Sequence, residues 1–106
     1  NKSVTGFPAV KFSPRIYPAL KNLSAQPDFE KRLVTLSWTA PQQEVDRYVI
    51  YKSKKGEPLR TWKTTDGKNA VIADKELYPG NTYIYKVKAV MKNGAETKLV
   101  SVEVVY

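Results

Sequence analysis

The 106-residue sequence predicts an all-β fold, a sandwich of about seven short antiparallel strands. Three observations predict it. In the stretch after Pro79-Gly80, Tyr83, Tyr85, Val87 and Ala89 alternate with Ile84, Lys86 and Lys88, the period-2 pattern of a strand with one dry and one wet face. Turn-forming residues recur at short-strand spacing, as at Pro41, Lys54-Lys55-Gly56, Asp66-Gly67, Pro79-Gly80 and Asn93-Gly94. No segment carries a helical period. Seven tyrosines, two tryptophans and many Val and Thr lean the same way.

Length and composition bound the rest. The chain is long enough for one domain with a two-layer core, and 42% apolar residues can fill it. There are no cysteines, hence no disulfide framework and no thiolate chemistry. There are no histidines, which removes the commonest general base and metal ligand. No apolar run approaches the length of a membrane span, and no signal peptide is legible. The sequence starts at Asn1 and reads as excised from something longer. Of the net charge of +8, five units come from Arg47 to Lys68, where seven cations face Glu57 and Asp66. Such a region attracts polyanions. The plainer and favoured reading is a solvated rim that keeps the sandwich soluble and blunts its edges.

Taken in order, residues 1–18 form a proline-rich linker. Pro8, Pro14 and Pro18 cannot donate to a ladder, and Phe7, Val10, Phe12, Ile16 and Tyr17 have no clean period. Residues 19–106 form the domain. Leu20 to Ala25 is the first strand, at an edge, and Gln26 to Lys31 a turn-rich connection. Leu33 to Thr39 follows, with Val34, Leu36 and Trp38 on the buried face, each large side chain contributing about 1.5–3 kcal/mol on burial. The polar loop after Pro41 leads to a strand from Val45 to Lys52, with Tyr48 and Ile50 inward and Arg47, Val49 and Tyr51 outward. Leu59 to Thr64 is a short strand. Asn69 to Asp74 is another, with Val71 and Ala73 inward. The Lys92-Asn93-Gly94-Ala95 hairpin then leads to a last strand from Lys98 to Tyr106.

Several of these residues form a recognisable set. Val34-Thr35-Leu36-Ser37-Trp38 with Pro41, Tyr48-Val49-Ile50-Tyr51-Lys52, Leu77-x-Pro79-Gly80-x-x-Tyr83, and Ala89 with Asn93-Gly94 together resemble a fibronectin type III domain over about residues 19–106. The resemblance implies an immunoglobulin-like β-sandwich without the antibody disulfide, its core tryptophan at Trp38. It also implies a tyrosine corner at Tyr83, a phenol bonded back to nearby backbone. These landmarks specify fold rather than function. The adhesive Arg-Gly-Asp motif of some family members is absent from the Lys92 to Glu96 loop, so integrin binding by that route is not implied. The proline-rich lead-in and single-module length resemble accessory modules of bacterial secreted polysaccharide-degrading enzymes.

Residues able to carry chemistry are few. Glu44 and Asp46 are neighbours, but solvated loop carboxylates beside Arg47 lack the burial that shifts a pKa toward acid–base work. They also lack the six or more oxygens of a calcium site. The five glycines lie scattered in turns and build no phosphate loop. Asn22-Leu23-Ser24 and Asn1-Lys2-Ser3 fit a glycosylation sequon, a pattern with many chance matches. Neither a catalytic residue, nor a metal site, nor a cofactor is expected. Trp62 is the exception worth weighing: among Arg60, Lys63 and Lys68, and with Tyr51, it offers a platform for a sugar ring or a partner side chain. The favoured alternative has Trp62 covering the open end of the core beside Leu59. Lys86 and Lys88 near Tyr51 superficially fit a single-strand nucleic-acid groove, yet outward lysines on strands are ordinary solubility residues, and no nucleic-acid partner is expected.

The expectation is a non-catalytic accessory module, a spacer or protein–protein docking domain of a larger extracellular, periplasmic or cell-surface protein. Its partners are neighbouring domains of the same polypeptide, without direct membrane insertion. The alternative is a carbohydrate- or polyanion-binding module centred on Tyr51, Arg60, Trp62 and Lys63.

Overall fold

The structure, a computed structural model, describes residues 16–106. Nine strands form two packed sheets: β1 (Ile16–Tyr17), β2 (Lys21–Asp28), β3 (Leu33–Thr39), β4 (Val45–Lys54), β5 (Arg60–Asp66), β6 (Val71–Asp74), β7 (Thr82–Met91), β8 (Glu96–Thr97) and β9 (Val100–Val105). The smaller sheet runs β2-β3-β6. The larger runs β1-β8-β7-β4-β5, and β9 pairs with β7 as well. All pairings are antiparallel except β1 with β8.

The alternation read in β3, β4 and β7 becomes the core. Val34, Leu36, Tyr48, Ile50, Tyr85, Val87 and Ala89 are sealed from solvent, and Trp38 and Tyr83 nearly so. The Trp38 and Tyr48 rings meet edge to face, with centroids 5.0 Å apart. Aromatic pairs prefer this geometry because the positive ring edge meets the negative ring face. The tyrosine corner is also in place. The Tyr83 hydroxyl accepts from the Tyr78 amide at 2.8 Å and donates to the Tyr78 carbonyl at 3.3 Å. It thereby pins the turn that feeds β7. In the β7–β8 hairpin Gly94 takes φ 89°, a left-handed conformation that glycine adopts without steric cost. The Asn93 side chain accepts from the Ala95 amide at 2.9 Å.

Four expectations are corrected. The first strand does not stop at Ala25. β2 continues to Asp28 through Pro27, a residue that edge strands tolerate because one side of their backbone has no ladder to feed. The last strand, β9, begins at Val100 rather than Lys98, and Glu96–Thr97 before it forms a separate short strand, β8. With β1 this makes nine strands rather than seven. In β6 the inward residues are Ile72 and Asp74, whereas Val71 is 52% exposed and Ala73 faces solvent. The phase is set across the ladder: Leu36 opposes Ile72 and Val34 opposes Asp74, so β6 must turn those two residues to the core. Finally, β4 runs to Lys54 and β5 from Arg60 to Asp66, both further than expected.

Of the expected linker, residues 1–15 lie outside the described residues. Ile16 and Tyr17 pair in parallel with Glu96 and Thr97, and the Lys98 amide donates to the Tyr17 carbonyl at 3.0 Å.

Two measurements follow from this packing. Gly67 turns the chain between β5 and β6 so close to β4 that an added Cβ would lie 1.8 Å from the Val45 carbonyl oxygen. Gly67→Ala is expected to destabilise the domain by about 1–3 kcal/mol in urea unfolding, the ordinary cost of overpacking. The Tyr48 hydroxyl is buried without a hydrogen-bond partner, whereas that of Tyr83 has two. Tyr83→Phe is therefore expected to cost about 1 kcal/mol or more, and Tyr48→Phe to be neutral or stabilising, in the same assay.

Candidate functional site

The residue placed least predictably by pattern is Asp74. It closes β6 with no solvent exposure, and every group that satisfies it comes from another segment. From β7, the Tyr85 hydroxyl donates to Oδ2 at 2.6 Å. From β4, Lys52 Nζ reaches the same oxygen at 2.7 Å. The Glu76 amide donates to Oδ1 at 2.8 Å, and Lys52 also donates to the Glu76 carbonyl. A buried carboxylate is tolerated only with such partners. Burial, and then the adjacent Asp74, push the Tyr85 phenol well above its ordinary value. Burial also pushes the Tyr48 phenol up.

This network holds the β6–β7 connection beside the edge strand β5. Between them opens a groove of about 660 Å³, lined by Lys52, Arg60, Trp62, Lys75, Glu76 and Tyr78 together with Thr61 and Leu77. Lys52 stands 5.3 Å from the centre of the Trp62 ring and 5.1 Å from that of Tyr83. Lys63 approaches the Trp62 ring at 5.7 Å. Trp62 also meets Tyr85 edge to face at 6.3 Å and packs on the core, and its indole Nε1 is buried without a partner. Arg60 and Lys75 are exposed and make no ion pair among the described residues.

The four residues singled out by sequence are thus divided. Arg60 and Trp62 line the groove, and Lys63, outside that lining, approaches the indole. Tyr51 lies on the other face of the sheet, under Lys88 at 5.9 Å, where Lys88 also bonds Glu96 at 2.8 Å. The separation has a local cause. Ile50 opposes Lys63 and Tyr51 opposes Thr61, so Trp62 is the extra residue of a β-bulge. A bulge re-aims side chains on the strand that carries it, here turning Trp62 inward onto Tyr85. The single Tyr51–Trp62 platform is not formed. Sequence reasoning passed over Lys52, Lys75 and Tyr78. Only the corner motif around Tyr78 gave a signal.

Comparison with known proteins agrees with this architecture. A family model described as fibronectin type III domain matches residues 18–104. The chain belongs to the fibronectin type III family. Domains of this family are generally non-catalytic modules and commonly occur in extracellular proteins. Among solved structures it is similar to an Fn3-like protein from Clostridium thermocellum, with 29% identity and a TM-score of 0.66 over 81% of this chain and 90% of that one. A two-domain fibronectin type III segment from chicken tenascin shares the fold at 24% identity and a TM-score of 0.73, over 86% of this chain and 51% of that one. So does a pectate lyase from Erwinia chrysanthemi in complex with tetragalacturonic acid, at 20% identity and a TM-score of 0.64. That match covers 78% of this chain and 28% of the lyase. Among the described residues no cluster of acidic side chains could hold a metal ion, and no helix is long and apolar enough to cross a membrane.

The raised phenols give a pH prediction. Below about pH 10 the folded and unfolded chains both keep these protons, and Tyr85 and Tyr48 contribute no pH dependence. Above it the unfolded chain releases them first, so stability should fall by about 1.4 kcal/mol per pH unit for each phenol still protonated in the fold. Urea unfolding at about pH 9 and about pH 11 should show the loss, and Tyr85→Phe should remove its share.

Proposed function

We propose that this domain is a non-catalytic spacer or docking module of a larger secreted or surface protein, engaging neighbouring domains of the same polypeptide. One observation carries the reading. The chain joins the larger sheet through β1, which pairs β8 beside the Val90 end of β7, and leaves it through Val105, which pairs Thr82 at the other end. Neighbours attached to the two ends are therefore held apart by the length of a ten-residue strand. A sandwich with one sealed core transmits that separation stiffly, because close-packed interiors are hard to compress.

The absence of native cysteines makes the geometry directly measurable. Ile16 and Val105 are 73% and 70% exposed, so spin labels on I16C and V105C should not disturb the core. A narrow distance distribution centred at about 25–30 Å is expected from the strand rise. A broad distribution, or one centred below about 15 Å, would remove the spacer reading.

A second reading, binding of a carbohydrate or acidic polymer, is favoured by one feature. The groove beside Trp62 combines aromatic rings with exposed cations that no carboxylate of the domain neutralises. Aromatic faces stack on sugar rings and cations attract anions, so the two chemistries together suit an acidic glycan.

A further inference from the structure

From the groove we infer a specific acidic-sugar site whose platform is Tyr78, with Arg60 and Lys75 as its carboxylate partners; the inference rests on the second reading above. Tyr78 is 77% exposed, the most exposed of the large apolar and aromatic side chains in the domain's described residues. Its backbone is nonetheless among the best anchored. The amide and carbonyl are both held by the Tyr83 hydroxyl, and the carbonyl also accepts from the Asn81 side chain at 3.1 Å. An exposed ring on a fixed backbone is preorganised for stacking, since little backbone freedom is lost on binding.

Trp62 cannot serve as the open platform. Lys52 and Lys63 approach its ring, Tyr85 meets it edge-on, and it packs on the core. It forms the wall and Tyr78 the open rim. Nor does the fold require an aromatic at position 78, because the tyrosine corner uses only the backbone atoms of that residue.

Charge selects the ligand class. Lys52 is committed to Asp74, which leaves Arg60 and Lys75 facing the groove against one carboxylate, Glu76. Arg60, on the edge strand, is accounted for by edge protection. Lys75 is not, since it lies in the β6–β7 connection outside any strand. A neutral sugar has no use for two cations. A chain of uronic acids presents both a ring face and a carboxylate in each unit, and the planar guanidinium of Arg60 suits bidentate pairing with one of them.

The test is calorimetric titration of the domain with polygalacturonate, with dextran as the neutral control and Trp62 fluorescence as a second readout. Polygalacturonate should bind, more weakly as salt is raised, and dextran should not. Tyr78→Ala should weaken binding about tenfold, the scale of one aromatic stack, and keep the wild-type melting temperature. Arg60→Ala and Lys75→Ala should weaken binding and flatten its salt dependence, whereas Tyr51→Ala should change nothing. Equal binding of dextran would overturn the acidic class. Undiminished affinity in Tyr78→Ala, with loss in Arg60→Ala, would overturn the role of Tyr78 and leave the groove reading standing. Absence of binding by either polymer would remove both.

Discussion

A carboxylate with no solvent exposure lies between the two sheets, bound by a phenol from β7, an ammonium from β4 and an amide of the following connection. Taking such charges out of water costs several kcal/mol per ion, so the Asp74–Lys52 pair is weak grounds for stability in itself. Its consequence is one of register. β6 is four residues long and pairs on one side only, with β3. Its apolar residues Val71, Ile72 and Ala73 are consecutive, so hydrophobicity alone offers two nearly equivalent phases. A slip by one residue would turn Asp74 to solvent and leave Tyr85 and Lys52 facing apolar side chains. The polar contact thus chooses between phases that burial leaves nearly degenerate. Through the Glu76 amide and carbonyl it also fixes the connection that lines the groove.

This explains what could be read from the sequence and what could not. β3, β4 and β7 are central strands with long alternating patterns, and their buried faces follow residue by residue. Tyr83 was legible because the Leu-x-Pro-Gly-x-x-Tyr spacing encodes a local bond between a side chain and backbone five residues away. The phase of β6 was not legible, because an aspartate counts as an outward residue until partners from β4 and β7 are known. The separation of Tyr51 from Trp62 was hidden for a similar reason. A bulge is defined by two strands at once, and nothing within Arg60 to Thr64 announces it. Tyr78 falls at an unspecified position of the corner motif, and the groove it borders depends on the approach of the β6–β7 connection to β5.

The basic segment divides along the same lines. Arg47 is paired with Asp46, Lys54 with Glu57, Lys55 with Glu103, and Lys52 with Asp74. The first three pairs are substantially exposed and contribute little to stability. Within this segment the cations without an ion pair are Arg60, Lys63 and Lys68, on β5 or the turn after it. β5 is the free edge of the larger sheet, and its cations and bulge oppose pairing with another chain. At one of the two edges of the smaller sheet, Pro27 in β2 contributes the same protection by removing a donor.

The two edges of the larger sheet are consequently unlike. β1 closes one by stitching the incoming chain to β8, at the end of the sheet where β7 finishes. β5 bounds the other, and the groove beside it lies toward the end where β7 begins, since Lys52 pairs with Tyr85 and Tyr78 precedes Thr82 in the turn. A neighbour attached before β1 would therefore stand at the opposite edge and the opposite pole from Tyr78, whereas one attached after Val105 would start beside Thr82, at the pole of the groove. On the proposed spacer reading, separation of neighbours would use the length of β7, and on the proposed binding reading ligand contact would use its flank. The two proposed roles would therefore share the Thr82 pole of the larger sheet, where a neighbour following Val105 and a ligand in the groove would both stand.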